Sequence, residues 1–184
     1  MSKAVISIVA KSGTGKTTLL EKLIAELKRR GYRVGAIKHD AHQFEIDHAG
    51  KDSWRLTHAG ADTMVVSSAS KVAIVQQNQA AEEPSVHALL ATYFKDVDIV
   101  LTEGFKKSTL PKIEVHRKER SDSLLCRGEE HDATLIAVAS DENWDLDVPV
   151  FDINDAAGIC NLIEGSLSES GFKGDVDPSL MGIG

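Results

Sequence analysis

The sequence predicts an α/β fold in which a mainly parallel sheet is flanked by helices. Short apolar runs alternate along the chain with segments whose apolar residues recur at helical spacing, an alternation typical of parallel sheets. The first apolar run, residues 4–9, leads through a glycine-rich loop directly into the first helical pattern. That order of strand, loop and helix is the setting of a phosphate-binding P-loop, so we predict a P-loop NTPase fold.

The remaining elements continue this alternation. The first helix is predicted over residues 16–30, where basic residues precede Gly31, a typical signal for a helix end. Further strands are predicted at 34–37, 97–102, 112–116, 135–139 and 148–151, and further helices at 47–59, 84–94 and 155–167. Because only three residues separate the runs 63–67 and 71–76, these two strands are predicted to form an antiparallel hairpin at a sheet edge. The charged segment 117–132 is expected to be exposed.

Length and charge limit the domain count and the range of partners. A chain of 184 residues fits one ordinary domain, which we place at residues 1–168 as a nucleotide-binding domain. Residues 169–184 are rich in Gly, Pro, Ser and Asp, which predicts a loosely ordered tail. The net charge of −7, from 28 acidic and 21 basic residues, disfavours general attraction to nucleic acid or anionic membranes.

Cysteine usage and hydropathy indicate the compartment. Cys126 and Cys160 occur without a CxxC pair, which favours free thiols in a reducing environment. The apolar run at the start is too short for a signal peptide, and no segment approaches the roughly 18 apolar residues that cross a bilayer. We therefore expect a cytoplasmic protein with neither a nucleic-acid nor a membrane partner.

The loop AKSGTGKT at residues 10–17 is the strongest functional signal. Gly13 and Gly15 let the chain curl so that successive backbone N–H groups point at phosphate oxygens. Lys16 is expected to reach the β- and γ-phosphates, and the Thr17 hydroxyl to coordinate Mg²⁺. Ala10 replaces the first glycine of the strict motif, which is acceptable where φ is negative.

The predicted nucleotide-binding set is Lys11, Ser12, Gly13, Thr14, Gly15, Lys16, Thr17 and Thr18. The alternative is a glycine-rich turn without a ligand.

Two carboxylates are predicted to join this loop. Asp40 and Glu103 both follow apolar strands, and the carboxyl ends of parallel strands share one edge of the sheet. Mg²⁺ prefers oxygen ligands, so the predicted metal set is Thr17, Asp40 and Glu103, and the predicted catalytic set is Lys16, Asp40 and Glu103. Gly104 is expected to let its N–H approach a γ-phosphate. The alternative is that each carboxylate only caps a neighbouring loop.

Other candidate groups have two interpretations each. Lys11 stands where a variant P-loop carries a lysine that crosses a dimer interface to the partner's nucleotide, and the alternative is a solvated lysine. His39, His42 and His48 suggest a transition-metal site, but they lack a convincing third ligand, and their loop is equally suited to phosphate or partner contact.

Four segments resemble the molybdopterin-guanine dinucleotide biosynthesis adaptor family, MobB. They are KSGTGKTTLLEKLI at 11–24, GAIKHDAHQFEIDHAGKDSWRLTHAGA at 35–61, DIVLTEGFK at 98–106 and PKIEVHR at 111–117. The resemblance implies a homodimeric GTP-binding protein with weak GTPase activity, which assists the guanylyltransferase that joins GMP to molybdopterin. Molybdopterin or its guanine dinucleotide is then a candidate direct ligand. The matching motif positions imply that Gly13, Gly15, Lys16 and Thr17 hold GTP and Mg²⁺, with Asp40 and Glu103 near the metal and the attacking water.

Guanine preference comes from the resemblance alone. The NKxD tetrad, whose Asp accepts the guanine N1–H and N2–H, does not occur in the sequence. The sequence also gives no arginine finger at a fixed place, so slow turnover is expected. Two rival functions remain open: a small-molecule kinase with Asp40 as general base, and a GTP-dependent metal-delivery chaperone that uses the histidine-rich loop.

Overall fold

The computed structural model describes residues 3–39, 44–78, 83–128 and 131–169. The chain divides into two compact units, one formed by residues 1–39 with 96–184 and the other by residues 40–95. The region predicted as one domain therefore contains two such units. The predicted tail falls outside the described residues except for Glu169, which belongs to the last helix.

The larger unit contains a six-stranded sheet in which every pair of neighbours is parallel. Its elements are β1 (Ala4–Ala10), α1 (Lys16–Arg29), β2 (Val34–Lys38), β5 (Ile99–Glu103), β6 (Lys112–His116), β7 (Leu135–Ser140), β8 (Val150–Asp152) and α4 (Ala156–Glu169). The strand order is β2-β5-β1-β6-β7-β8, which places the first strand inside the sheet. The predicted α/β class with a mainly parallel sheet is confirmed.

Apolar residues pack on both faces of this sheet. On one face, Ile6 and Ile8 of β1 belong to the cluster that includes the buried residues of α1 and α4. On the other face, Val9 packs with Leu124 and Cys126, which are 3% exposed. The segment expected to be exposed at 117–132 is therefore partly buried, because these two apolar side chains cover the sheet between charged neighbours.

Strand β6 carries three buried polar side chains at alternate positions, and each is paired. The Lys112 ammonium lies 3.0 Å from Asp132 and donates to the Thr134 hydroxyl at 2.6 Å. The Glu114 carboxylate accepts from the Cys126 backbone N–H at 2.8 Å. The His116 ring contacts the Ser140 hydroxyl and the Ser121 carbonyl. Alternation along a strand points these side chains to one face, so β6 fixes the segment that follows it.

The smaller unit contains two helices and an antiparallel hairpin. Its elements are α2 (Asp52–His58), β3 (Thr63–Ser67), β4 (Val72–Gln76) and α3 (Val86–Tyr93). The hairpin is confirmed, with Val65 opposite Ile74, but β3 and β4 form a separate two-stranded sheet and not an edge of the main sheet. No helix within the four described ranges has the length and apolar character needed to span a membrane.

We predict that Asp132→Ala lowers the free energy of unfolding by about 3 kcal/mol, because it leaves the buried Lys112 ammonium without its carboxylate. Burial opposes ionisation, but hydrogen bonds from Thr134 and the charge of Lys112 hold the pKa of Asp132 below its usual value. The stabilisation is therefore present above the unfolded-state pKa, about 3.9, and is lost as the pH falls through the lower folded-state pKa.

Urea denaturation at pH 7 and at acidic pH measures the effect of Asp132→Ala. The exposed Asp122 provides the control, for which Asp122→Ala is expected to change stability by less than about 0.5 kcal/mol. Equal stability of the Asp132 variant and the wild type at pH 7 would contradict the assignment.

Candidate functional site

The loop between β1 and α1 has the backbone of a phosphate cradle. Gly13 and Gly15 have φ angles of +75° and +92°, in the left-handed region that side chains disfavour. The Thr14 hydroxyl is buried and donates to the Lys11 carbonyl at 3.1 Å, which closes the loop. Gly15 directly precedes α1, so the first backbone N–H groups of that helix face the loop and favour an anion there.

Strand β5 places a carboxylate at this loop. Glu103 lies opposite Ile8 in the pairing of β1 with β5, at the carboxyl end of the sheet. The Thr17 hydroxyl donates to the Glu103 carboxylate, with an oxygen–oxygen distance of 3.2 Å. Thr17 and Glu103 are thus brought together as the sequence analysis expected, and together they offer hydroxyl and carboxylate oxygens of the kind that Mg²⁺ prefers.

Gly104 has a structural role next to this carboxylate. Its φ angle is +103°, and a Cβ at this position would lie 3.1 Å from the Cβ of His39, so a side chain would be both strained and crowded. The Gly104 N–H donates to the Ile8 carbonyl at 3.1 Å. That N–H is therefore engaged by β1, in contrast to the expectation that it approaches a γ-phosphate.

Of the other predicted site residues, some lie beside the cradle and some lie outside the described residues. Lys16 is partly exposed at the start of α1, and Ser12 and Thr18 are exposed beside the cradle. Asp40, predicted as a metal ligand and catalytic residue, lies outside the described residues, as does His42. Within the described ranges, no group of three His, Cys, Asp or Glu side chains converges as a metal site would require.

Lys11 is held within its own chain. Its ammonium donates to the Ser121 hydroxyl at 2.5 Å, and to the carbonyl and hydroxyl of Ser123 at 2.9 Å each. These three acceptors belong to the segment after β6. Within its own chain Lys11 therefore ties that segment to the cradle, and its contact with a partner's nucleotide stays a prediction.

Two arginines outside the predicted nucleotide-binding set cover the cradle. Arg117 donates from Nε to the Thr14 carbonyl at 3.1 Å, and its guanidinium lies 3.6 Å from where a Cβ of Gly15 would be. The Arg120 guanidinium lies 3.8 Å from the corresponding position at Gly13. Both follow β6, the strand next to β1. The sequence does show a basic residue, Arg117, directly after a predicted strand. Only the strand order shows that this strand, β6, lies next to β1 and therefore beside the P-loop.

Neither cysteine contributes to this site. Cys126 and Cys160 are both buried in apolar clusters. Burial raises the pKa of Cys126 to about 12 and that of Cys160 to about 11. Because the thiolate is the nucleophilic form, both are structural thiols at neutral pH.

Comparison with known proteins assigns the family. The family described as Molybdopterin guanine dinucleotide synthesis protein B, MobB, matches residues 5–141. The chain belongs to the MobB family. A molybdopterin-guanine dinucleotide biosynthesis adapter protein of Haemophilus influenzae is 39% identical over 164 residues, 88% of each chain. Its counterpart from Escherichia coli is 40% identical over 162 residues, 86% of this chain and 90% of the relative.

Solved MobB structures share the fold. A crystal structure of molybdopterin-guanine biosynthesis protein B is 28% identical, with a TM-score of 0.70, and the match covers 88% of this chain and 98% of that one. A crystal structure of Bacillus subtilis MobB is 25% identical, also with a TM-score of 0.70, over 91% of this chain and 99% of that one. The match extends beyond the P-loop to nearly the whole MobB architecture.

We predict that Arg117→Ala weakens the binding of inorganic triphosphate about tenfold, because it removes one guanidinium from the cradle. Isothermal titration calorimetry with Mg²⁺ present measures this. Arg33→Ala is the matched control, since it makes the same charge change. Arg33 directly precedes β2 and so lies at the amino ends of the strands, whereas the cradle lies at their carboxyl ends. Equal weakening in both variants would assign the effect to net charge and not to position.

Proposed function

We propose that this protein is a GTP-binding adaptor with weak GTPase activity in the biosynthesis of the molybdenum cofactor. Its proposed partner is the enzyme that transfers a guanylyl group to molybdopterin. The observation that carries the proposal is a P-loop whose Thr17 hydroxyl contacts the Glu103 carboxylate, in a chain of the MobB family. The names of the relatives, all adapter proteins of molybdopterin-guanine dinucleotide biosynthesis, supply the pathway.

The residues of the cradle fit a nucleoside triphosphate with Mg²⁺. Lys16, together with the backbone of residues 11–15, is proposed to hold the phosphates, and Ser12 and Thr18 flank them. Thr17 and Glu103 are proposed to hold Mg²⁺, with Asp40 contributing directly or through water. Mg²⁺ would neutralise phosphate charge and favour attack by water. Arg117 and Arg120 add positive charge to a protein whose net charge is −7.

Slow hydrolysis suits an adaptor better than a metabolic enzyme. P-loop GTPases to which no partner supplies a catalytic arginine turn over at about 10⁻⁴ to 10⁻² per second. In this chain Arg117 is already engaged with the Thr14 carbonyl and lies 3.8 Å from the Asp141 carboxylate. We propose that it contributes chiefly to phosphate binding, so hydrolysis stays slow.

The hairpin offers a surface for the proposed homodimer. Val65, Val72 and Ile74 lie on one face of β3 and β4 by strand alternation and are 48–60% exposed. An isolated two-stranded hairpin is only marginally stable in water, so an apolar face of this kind gains from being covered. We propose that a second copy of the chain covers it. Cytoplasmic location is part of the same proposal.

We predict that the wild type binds GTP with Mg²⁺ and releases phosphate slowly without phosphorylating a metabolite. Lys16→Ala is expected to weaken GTP binding about a hundredfold, because it removes the ammonium that meets the phosphates. Lys22→Ala, on an exposed part of the same helix, is the control and should bind normally. Unchanged affinity of Lys16→Ala, or rapid transfer of phosphate to a small molecule, would overturn the proposal.

The same proteins test the adaptor role. Immobilised wild type should capture the purified guanylyltransferase more strongly with a nonhydrolysable GTP analogue than with GDP, since an adaptor couples nucleotide and partner binding. Lys16→Ala should lose the difference between the two nucleotides, and Lys22→Ala should keep it. Equal capture by the wild type under both conditions would remove nucleotide control from the proposal.

For the homodimer, we predict that Ile74→Glu converts the protein to a monomer in sedimentation velocity runs at micromolar concentration, because it places a charge in the covered apolar face. Ala73→Glu adds the same charge on the opposite face of the same strand and should leave the dimer intact. A monomeric wild type, or a dimeric Ile74→Glu variant, would count against this surface.

A further inference from the structure

A cleft lies two strands away from the phosphate cradle, at the same edge of the sheet. It is lined by residues 140–143, where β7 ends, and by residues 150–152 of β8. Neighbouring strands are about 5 Å apart, so with the order β1-β6-β7-β8 the cleft lies roughly 10 Å from the end of β1. Ligands of parallel sheets bind outside the carboxyl ends of the strands, where both features lie.

Arg117 connects the cleft to the cradle. Its Nε donates to the Thr14 carbonyl of the P-loop at 3.1 Å, and its Nη1 lies 3.8 Å from the Asp141 carboxylate, which lines the cleft. One side chain therefore touches both features. A nucleotide held at both would place its ribose and α-phosphate between them, beside Arg117.

The chemistry of the cleft suits a neutral ring with N–H donors. The carboxylates of Asp141, Glu142 and Asp152 would repel a phosphate. Val150 and Phe151 of β8, which also pack against the core, contribute a smaller apolar part of the lining. Among the described residues these carboxylates do not form a group that could hold a metal ion. The volume, about 170 Å³, is below the roughly 300–1,000 Å³ typical of a whole ligand pocket, so it fits one part of a ligand anchored elsewhere.

We infer that this cleft is the purine-base subsite and that the Asp141 carboxylate selects guanine. Asp141 accepts one hydrogen bond from the Lys118 backbone N–H at 2.9 Å, and a carboxylate has about four acceptor positions. It can therefore also accept from the N1–H and the amino group of guanine. Adenine presents an unprotonated N1 at that position, which a carboxylate repels. The inference rests on the proposed function and supplies the base recognition that the absence of an NKxD tetrad left unexplained.

The hydrogen bonds around Asp141 indicate that the side chain is positioned for this role. The Lys118 N–H and the Arg117 guanidinium approach it from the segment after β6, while Asp141 itself directly follows β7. Two neighbouring strand ends thus fix the carboxylate. Asparagine at this position keeps the Oδ1 acceptor for Lys118 and exchanges the other oxygen for a donor, which makes Asp141→Asn a conservative probe.

Calorimetric titration with GTP, ATP, xanthosine triphosphate and inorganic triphosphate, all with Mg²⁺, tests the inference. We predict that Asp141→Asn weakens GTP binding by about tenfold or more, because one of two paired hydrogen bonds becomes a clash of donors. The same variant should bind xanthosine triphosphate more tightly than the wild type does, since xanthine carries a carbonyl oxygen where guanine has the amino group. Inorganic triphosphate should bind both proteins equally, which shows that the fold and the cradle are intact.

Controls distinguish failure of this inference from failure of the proposed function. Asp145→Asn removes the same charge from an exposed position on the same segment and should leave the GTP preference unchanged. If Lys16→Ala weakens GTP binding as predicted while Asp141→Asn retains the wild-type preference among bases, the base subsite is wrong and the nucleotide-binding function stands. If the wild type binds neither GTP nor inorganic triphosphate, the proposed function fails and the subsite with it.

Discussion

The buried polar side of β6 is the constraint on which the candidate site depends. Lys112, Glu114 and His116 are each at most 2% exposed, and each is satisfied by groups from later in the chain. Burying such groups is unfavourable unless every one is paired, so the segment after β6 can take few other paths. The segment after β6 is therefore held at Ser121, Cys126, Asp132 and Thr134, the residues that pair with these buried groups.

This fixed segment brings charge to an acidic protein at one place. Arg117 and Arg120 reach the P-loop glycines, and Lys11 is tied back to Ser121 and Ser123. The cradle is thus lined by positive groups from two parts of the chain, although the protein as a whole carries a charge of −7. The local placement of these basic side chains, and not the net charge of the protein, makes this edge of the sheet suitable for phosphate.

Much of the fold was predictable because its signals are local. Strand 112–116 was predicted at its observed bounds, and the P-loop was placed correctly between β1 and α1. The helix expected at 47–59 forms only over Asp52–His58, and the hairpin forms its own sheet instead of extending the main one. A strand forms hydrogen bonds with strands that are far from it in the sequence. Local periodicity therefore predicts that a strand forms but not which sheet it joins. The partial burial of Leu124 and Cys126 was missed because charged neighbours hide their pattern.

The sequence by itself determined the α/β class, the family likeness and the phosphate cradle, because the cradle is one continuous run whose glycines and lysine act through their own backbone and side chains. Tertiary structure decided which distant residues surround it. Glu103 meets Thr17 because β5 lies next to β1, and Arg117 covers the loop because β6 lies on the other side. Asp141 comes near Arg117 because β7 follows β6 in the sheet. Strand order is set by how apolar faces and buried polar groups pair across the whole chain, which no local pattern specifies.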